Sequence, residues 1–282
     1  RVAAAEGGWA SEEVGGTSEG TSEEVGGTSS GTSSDVRVPP ALAATAGGLL
    51  ALWTDRSAGA LSLARSDDDW RAQAADAWAP PFGGFVSVAA RAAEPHAGEL
   101  WIGWSAGSTV RATAAEGQDA PDTVAEGLGG EALAAAVGSD GAPHLAWWDL
   151  SAGALRHAAR DALGDWAVEV AVRAPVPVSR PLGLAVRPDG AVDVLFLDAL
   201  PDAPGEIGLF QATRRGALWS RTLLTASVDA EAGALPLRAG EDGALFTVFP
   251  RTFVDAEGER RFALIFGQRP PTDGADPGCN GE

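Results

Sequence analysis

A repeat of about 50 residues constrains the fold of this chain more than any other sequence feature. Three segments share a Trp, a polar residue and a Ser-Ala-Gly turn or a close variant of it: Trp53–Leu61, Trp104–Val110 and Trp148–Leu155. An Asp-Gly dipeptide also recurs, beginning at Asp140, Asp189 and Asp242. A period of this length marks one supersecondary unit, which buries its apolar faces only by stacking against neighbouring units.

Each unit is predicted to contain four short strands. In the clearest unit they lie at 132–137, 143–149, 154–160 and 166–172. The Asp-Gly dipeptide separates the first two strands, because Gly tolerates the positive φ of a tight turn. Trp166, Val168 and Val170 alternate with other residues, which is typical of a half-buried strand. No segment shows a helical period with capping residues, so we expect an all-β protein.

Four short strands repeated about five times are typical of a β-propeller. The units lie near 41–77, 82–127, 131–173, 181–226 and 233–269. Since the last unit lacks an evident fourth strand, we expect an N-terminal strand to complete it and so remove the open sheet edges. We therefore expect a propeller of about five four-stranded blades, with six blades as the alternative and a β-sandwich as the rival fold.

The domain organisation follows from this repeat and from composition. Residues 1–14 supply the closing strand, 41–269 form the propeller and 270–282 form an acidic flexible tail. Residues 15–40 are rich in Gly, Ser, Thr and Glu, and a period of 11 residues covers Ser11–Thr21 and Ser22–Thr32. Such sequence has little to bury, so we interpret it as a linker, with a glycosylated stalk as the alternative.

Composition excludes several classes of function. The chain carries a net charge of -19 and no Lys, which argues against nucleic acid as a partner. One Cys excludes an intramolecular disulfide and a Cys-ligated metal cluster. No apolar run is long enough to span a bilayer. Without Tyr or Lys there is no Tyr nucleophile and no Lys Schiff base, and we expect no cofactor and no metal.

The blade pattern of this chain is a series of features in one order. An apolar strand is followed by Asp-Gly, a second strand that ends in Asp, Ser-Ala-Gly, a polar turn and Trp. This pattern resembles bacterial secreted β-propellers of the sialidase-like and lectin-like superfamily. Ser66-x-Asp68-x-Trp70 is similar to a degenerate Asp-box, a structural turn of such blades. The resemblance covers most of residues 41–269. It implies a Tyr nucleophile for a true sialidase, and this chain has no Tyr.

The best site candidates lie on what we call the crossover face, which carries the turns between second and third strands and the connections between blades. Loops at one face of a rigid scaffold are a common location for binding sites. We predict a ligand-binding rim there, in which carboxylates and aromatic rings hold a sugar, a cation or a basic partner. Its members are Trp53, Asp55, Trp104, Trp148, Asp149, Asp198, Asp202, Arg251 and Asp255.

A structural alternative competes for these residues. An Asp before a hairpin turn accepts hydrogen bonds from backbone N–H groups, and Trp residues at repeated positions fill blade cores. Asp202 and Asp255 belong to two longer insertions, residues 199–206 and 251–259.

Other polar clusters are weaker candidates for a metal or catalytic site. Asp67, Asp68 and Asp69 are adjacent, so they favour an exposed turn over a calcium site. His96, His144 and His157 lack metal-ligand spacing, and Cys279 lies in a polar tail, where it could also link to a partner. No catalytic constellation stands out.

We therefore expect a non-enzymatic, extracytoplasmic propeller that acts as a binding or scaffold module for a glycan or a protein. Two alternatives stay open. One is an accessory subunit of a larger secreted or envelope assembly. The other is a glycan-active hydrolase or lyase that uses the rim carboxylates.

Overall fold

A computed structural model of the chain provides the fold. It describes residues 10–13, 41–45, 48–55, 60–69, 73–74, 86–90, 100–106, 108–114, 120–127, 131–173, 182–226, 228, 235–254, 258 and 260–270.

In the described part of the chain, twenty strands form five antiparallel four-stranded sheets, the blades of a β-propeller. Blade 1 contains β2 (Ala41–Thr45), β3 (Gly48–Asp55), β4 (Ala60–Arg65) and β5 (Gln73–Ala74). Blade 2 contains β6 (Val86–Ala90), β7 (Leu100–Ala106), β8 (Thr109–Ala114) and β9 (Asp122–Ala125). Blade 3 contains β10 (Glu131–Val137), β11 (Pro143–Asp149), β12 (Ala154–Arg160) and β13 (Trp166–Arg173). Blade 4 contains β14 (Leu182–Val186), β15 (Val192–Leu200), β16 (Ala203–Arg215) and β17 (Leu218–Ala226). Blade 5 contains β18 (Leu237–Ala239), β19 (Leu245–Val254), β20 (Arg260–Arg269) and β1 (Ala10–Glu13).

The closing strand confirms the predicted ring topology. β1 pairs antiparallel with β20, with Ala10 opposite Gln268 and Glu13 opposite Ile265. Blade 5 thus combines three strands from the end of the fold with one from its beginning. The predicted five-bladed, all-β propeller is confirmed. In the described part of the chain, no helix is long and apolar enough to cross a membrane.

Blades pack face to face, so alternate residues of one strand bury against different neighbours. Trp147 belongs to a core cluster between blades 2 and 3, whereas Trp148 belongs to one between blades 3 and 4. Every residue of β11 is consequently buried. Successive side chains of a strand point to opposite faces, which explains why this strand is apolar almost throughout.

Among the described residues, core clusters occupy four of the five boundaries between blades. On the blade 1 face turned away from blade 2, Leu42 and Leu49 are exposed. On the blade 5 face turned away from blade 4, Leu264 and Phe266 are exposed.

The Asp-Gly turns form the end of the propeller that we call the Asp-Gly face. In blade 3, Ala142 N donates to Asp140 Oδ1 at 3.0 Å and Gly141 adopts a φ of 85°. The turns at Asp189 and Asp242 repeat this bond to the carboxylate at 3.0 and 2.9 Å. The predicted tight turns are therefore present in blades 3, 4 and 5.

The two insertions on the crossover face differ from the expected long loops. In blade 4, β15 runs to Leu200 and β16 begins at Ala203, so two residues form the turn. In blade 5, β19 continues to Val254 and pairs with Arg260 of β20. Both insertions extend hairpins, because cross-strand pairing satisfies backbone groups that a loop would leave to water.

Gly183 is required for close packing between blades 4 and 5. A Cβ at this position would lie 2.1 Å from the carbonyl oxygen of Leu235, a backbone atom that cannot swing aside. We expect Gly183→Ala to lower the free energy of unfolding by roughly 1–3 kcal/mol, the usual cost of overpacking. Chemical denaturation of the purified protein measures this change.

Gly205→Ala is the matched control. Nothing lies within 4 Å of a Cβ there, so we expect a change within about 0.5 kcal/mol. Equal stability of the two variants would contradict the close approach at Gly183.

Candidate functional site

Asp149, a predicted rim residue, is engaged within its own blade. Its side chain is fully buried. Oδ1 accepts hydrogen bonds from Ser151 Oγ at 2.6 Å and from Ala152 N at 3.0 Å, and Oδ2 accepts one from Arg156 Nε at 2.7 Å. Burial raises the pKa of Asp149, but the bonds from Ser151, Arg156 and Ala152 outweigh it and hold the pKa below its ordinary value. These contacts match the structural alternative, in which an Asp before a hairpin turn accepts hydrogen bonds from that turn.

Asp198, the equivalent residue of blade 4, is also buried. Its Oδ1 accepts a hydrogen bond from Ala199 N at 2.8 Å, and Arg221 Nη2 lies 2.9 Å from Oδ2. The Arg221 guanidinium stacks 4.0 Å from the ring centre of Phe210. Burial raises the pKa of Asp198, although the Arg221 cation opposes this effect.

The other predicted rim residues are scattered. Trp104 and Trp148 are buried in blade cores, Trp53 is half-buried, and Asp202 is exposed on the β15–β16 turn. Asp55 and Arg251 lie on described strands, but their side chains are outside what the structure describes, as is the whole of Asp255. A ligand-binding rim on the crossover face therefore stays a prediction.

A cleft of about 480 Å³ opens on the Asp-Gly face, between blades 2 and 3. Blade 2 contributes Leu100, Trp101 and Ala114, and blade 3 contributes residues 140–143 and 160–162. This volume lies in the usual range of ligand pockets, about 300–1,000 Å³. The lining combines one aromatic ring with the charged side chains of Asp140, Arg160 and Asp161.

A fixed wall of side chains supports one side of the cleft. The guanidinium of Arg160 lies over the Trp101 ring, 5.2 Å from its centre. Arg160 Nε is 3.1 Å from Asp122 Oδ2, which also accepts a hydrogen bond from Trp166 Nε1 at 3.1 Å. Trp166 in turn meets Trp101 edge to face at 6.2 Å. These contacts join the two blades and hold the Trp101 ring in place.

The two carboxylates of the cleft are exposed and partly occupied by their own turns. Asp140 Oδ1 accepts from Ala142 N, and Asp161 Oδ1 accepts from Leu163 N at 2.8 Å and Asp165 N at 2.9 Å. Within the described residues, Oδ2 of either side chain makes no hydrogen bond. Each carboxylate is thus oriented through one oxygen and offers the other to a ligand.

A buried chain of polar groups lies on the opposite face of blade 3. His144 Nδ1 is 3.0 Å from His157 Nε2, and His157 Nδ1 is 2.9 Å from Glu169 Oε1. From blade 4, Arg214 Nε lies 2.9 Å from the same glutamate oxygen, and Trp219 meets the His157 ring at 5.4 Å.

The hydrogen bonds fix the tautomers of the two imidazoles. An ionised Glu169 only accepts, so His157 donates through Nδ1 and accepts at Nε2 from His144 Nδ1. The bond from His157 lowers the pKa of Glu169. Burial, together with the neighbouring His157, lowers the pKa of His144 to about 3. His144 is therefore neutral near pH 7, with its proton on Nδ1.

No cluster of three or more His, Cys, Asp or Glu side chains in the described part of the chain is arranged to hold a metal ion. Ser66–Asp68 forms a 3-10 turn followed by Asp69 at a φ of 49°, as expected for a turn. His96 and Cys279 lie outside the described residues.

Sequence reasoning missed the cleft and the histidine chain. Trp101 and Arg160 are 59 positions apart and belong to different blades, so no local pattern joins them. The histidine pair did leave a signal. His144 and His157 lie on one face of a predicted hairpin, and a two-residue offset still allows diagonal side chains to meet.

Comparisons with known proteins show the fold alone. No protein-family model and no curated protein matches the chain. An α-L-arabinofuranosidase from Podospora anserina is 12% identical over 86% of this chain and 95% of its own, with a TM-score of 0.46. A thermostable family-43 glycoside hydrolase is 10% identical over 79% of this chain and 91% of its own, also at 0.46.

A third solved structure belongs to the sialidase group. An intramolecular trans-sialidase from Ruminococcus gnavus is 14% identical over 75% of this chain, with a TM-score of 0.43, and this chain spans half its length. The β-propeller itself, the coarser part of the predicted resemblance, is present in the described strands, and the finer assignment to a secreted bacterial sialidase-like or lectin-like group stays a prediction.

The leading functional expectation is corrected by these findings. We expect a non-enzymatic binding or scaffold module, but the three similar structures named here are two glycoside hydrolases and a trans-sialidase. The expectation of a non-enzymatic module is therefore corrected, and the alternative of a glycan-active enzyme is carried forward only as a proposal. Because the likeness concerns the fold, activity of this chain is a separate proposal.

The histidine chain predicts a pH dependence of stability. His144 has a pKa of about 3 in the folded protein and about 6.5 when unfolded. Between these values the unfolded chain binds a proton that the folded chain does not, so stability falls as pH decreases through this window. One such group contributes a slope of up to about 1.4 kcal/mol per pH unit.

His144→Gln tests this effect, because its amide can donate to His157 but does not titrate. We expect denaturation between pH 6 and 4.5 to show a shallower loss of stability in the variant than in the wild type. Identical slopes would contradict a neutral, buried His144.

Proposed function

We propose that this propeller is a glycan-active hydrolase that holds a sugar in the cleft between blades 2 and 3. The observation that carries the proposal is the meeting of Trp101 with Asp140 and Asp161 in one cavity. An aromatic ring offers an apolar platform to the C–H face of a sugar, and carboxylates bind its hydroxyl groups.

The reaction class follows from the pair of carboxyl groups. Hydrolysis of a glycosidic bond uses two Asp or Glu side chains, one as the proton donor and the other as base or nucleophile. Asp140 and Asp161 are both exposed, and the hydrogen bonds to their Oδ1 atoms give each a defined orientation. We assign them as this pair. The glycoside hydrolases named above belong to the same reaction class, but the proposal depends on the cleft alone.

Asp149 and Asp198 are poor candidates for this chemistry. Both side chains are buried, and each lies beside an arginine and accepts a hydrogen bond from one backbone N–H. On the crossover face, Asp55, Asp202 and Asp255 remain the competing carboxylates. A glycan is the partner in either location. An extracytoplasmic site of action fits the Gly/Ser/Thr/Glu-rich residues 15–40 and is part of the proposal.

Removal of either carboxylate tests the assignment. Aryl glycosides and soluble polysaccharides are incubated with the purified protein, and released aryl alcohol or reducing ends are measured. We expect Asp140→Asn and Asp161→Asn each to lower kcat/KM by about 10²–10⁴, the usual contribution of general acid–base catalysis. No turnover of any substrate by the wild type would contradict the proposed function.

Asp189→Asn and Asp242→Asn are matched controls. Both residues are exposed and accept the same turn hydrogen bond as Asp140, but neither lines the cleft. We expect both variants to retain activity. Equal losses in all variants would reveal a stability effect, and a loss confined to Asp202→Asn would move the chemistry to the crossover face.

A further inference from the structure

The charge of the cleft points to a substrate class within the proposed function. Asp140 and Asp161 bring two carboxylates to the lining, and Arg160 brings one cation. That cation is already engaged, because Asp122 Oδ2 lies 3.1 Å from Arg160 Nε and the guanidinium covers one part of the Trp101 ring. Arg160 also donates to the carbonyl oxygen of Gly164 at 3.1 Å. The ligand therefore meets a net negative charge, whichever of the two carboxyl groups carries the catalytic proton.

The carboxylates are also available to a donor. In each, Oδ1 accepts backbone N–H groups of its own turn, and Oδ2 makes no hydrogen bond among the described residues. A protonated amine donates up to three hydrogen bonds and accepts none, so it complements two carboxylate oxygens better than a hydroxyl group does. An anionic sugar would be repelled, because the one arginine of the lining is neutralised by Asp122.

We infer that the cleft selects a glycan bearing a free amino group, such as a glucosamine oligosaccharide. The inference depends on the proposed function for the choice of a sugar, since Trp101 supplies the platform for its ring. Because both carboxylates are exposed, the attraction is modest and screened by salt.

Paired ligands test this selectivity. Isothermal titration calorimetry compares a chitosan tetrasaccharide, at a pH where its amines are protonated, with the fully N-acetylated tetrasaccharide, which is neutral. We expect the amino form to bind about tenfold more tightly at low salt, as for one or two exposed ion pairs. The preference should shrink in 0.5 M salt and disappear in an Asp140→Asn/Asp161→Asn double variant.

The control variants distinguish an effect of the charge in the cleft from an effect of the net charge of the protein. An Asp189→Asn/Asp242→Asn double variant loses the same net charge from exposed turns outside the cleft, so it should keep the preference. Equal affinity for the two oligosaccharides, or the same loss of preference in both double variants, would overturn the inference.

The outcome also separates the two proposals. Tight binding of the amino form without its hydrolysis would leave the selectivity standing and contradict the hydrolase. Hydrolysis of neutral glycans, with no preference for the amino form, would support the hydrolase and contradict the selectivity.

Discussion

Burial of both faces of blades 2, 3 and 4 is the constraint on which the rest of the described structure depends. A sheet between two neighbours has no solvent side, so a buried charged side chain requires partners within the protein. Asp193 illustrates this rule. Its fully buried carboxylate accepts hydrogen bonds from Arg187, Gln211 and Thr213 at 2.6–2.9 Å. Arg269 of blade 5 donates a hydrogen bond to Gln211, so the hydrogen-bonded cluster around Asp193 also joins blades 4 and 5.

The same constraint explains where an open site arises. Between blades 3 and 4 the packing continues through the histidine chain, where Arg214 and Trp219 of blade 4 meet Glu169 and His157. Between blades 2 and 3 the side-chain packing is less complete at the Asp-Gly face. A cleft opens there beside the contacts of Trp101, Arg160 and Asp122. Charged groups there remain exposed, which leaves part of their hydrogen-bonding capacity free for a ligand.

The repeat predicted the fold well because its signals are local. Asp-Gly turns and period-two alternation lie within a few residues of the structures they specify, and the incomplete last unit indicated that its fourth strand comes from another part of the chain. The candidate site was harder to predict, because it joins side chains from different blades. Asp149 shows the difficulty most clearly. Its sequence position suits both a turn-capping carboxylate and a binding one, and the contacts with Ser151 and Arg156 distinguish them.

The absence of Lys has a structural counterpart in how cations are used. A guanidinium is planar, so it can stack on a ring and form parallel hydrogen bonds where an ammonium cannot. Arg221 stacks on Phe210, Arg160 lies over Trp101, and Arg187 binds both oxygens of Asp193. Each of these arginines is at least partly buried between sheets and neutralised by a carboxylate. Arg221 and Arg187 thus hold strands together within blade 4, and Arg160 joins blades 2 and 3, which leaves the acidic side chains of the surface to meet a ligand.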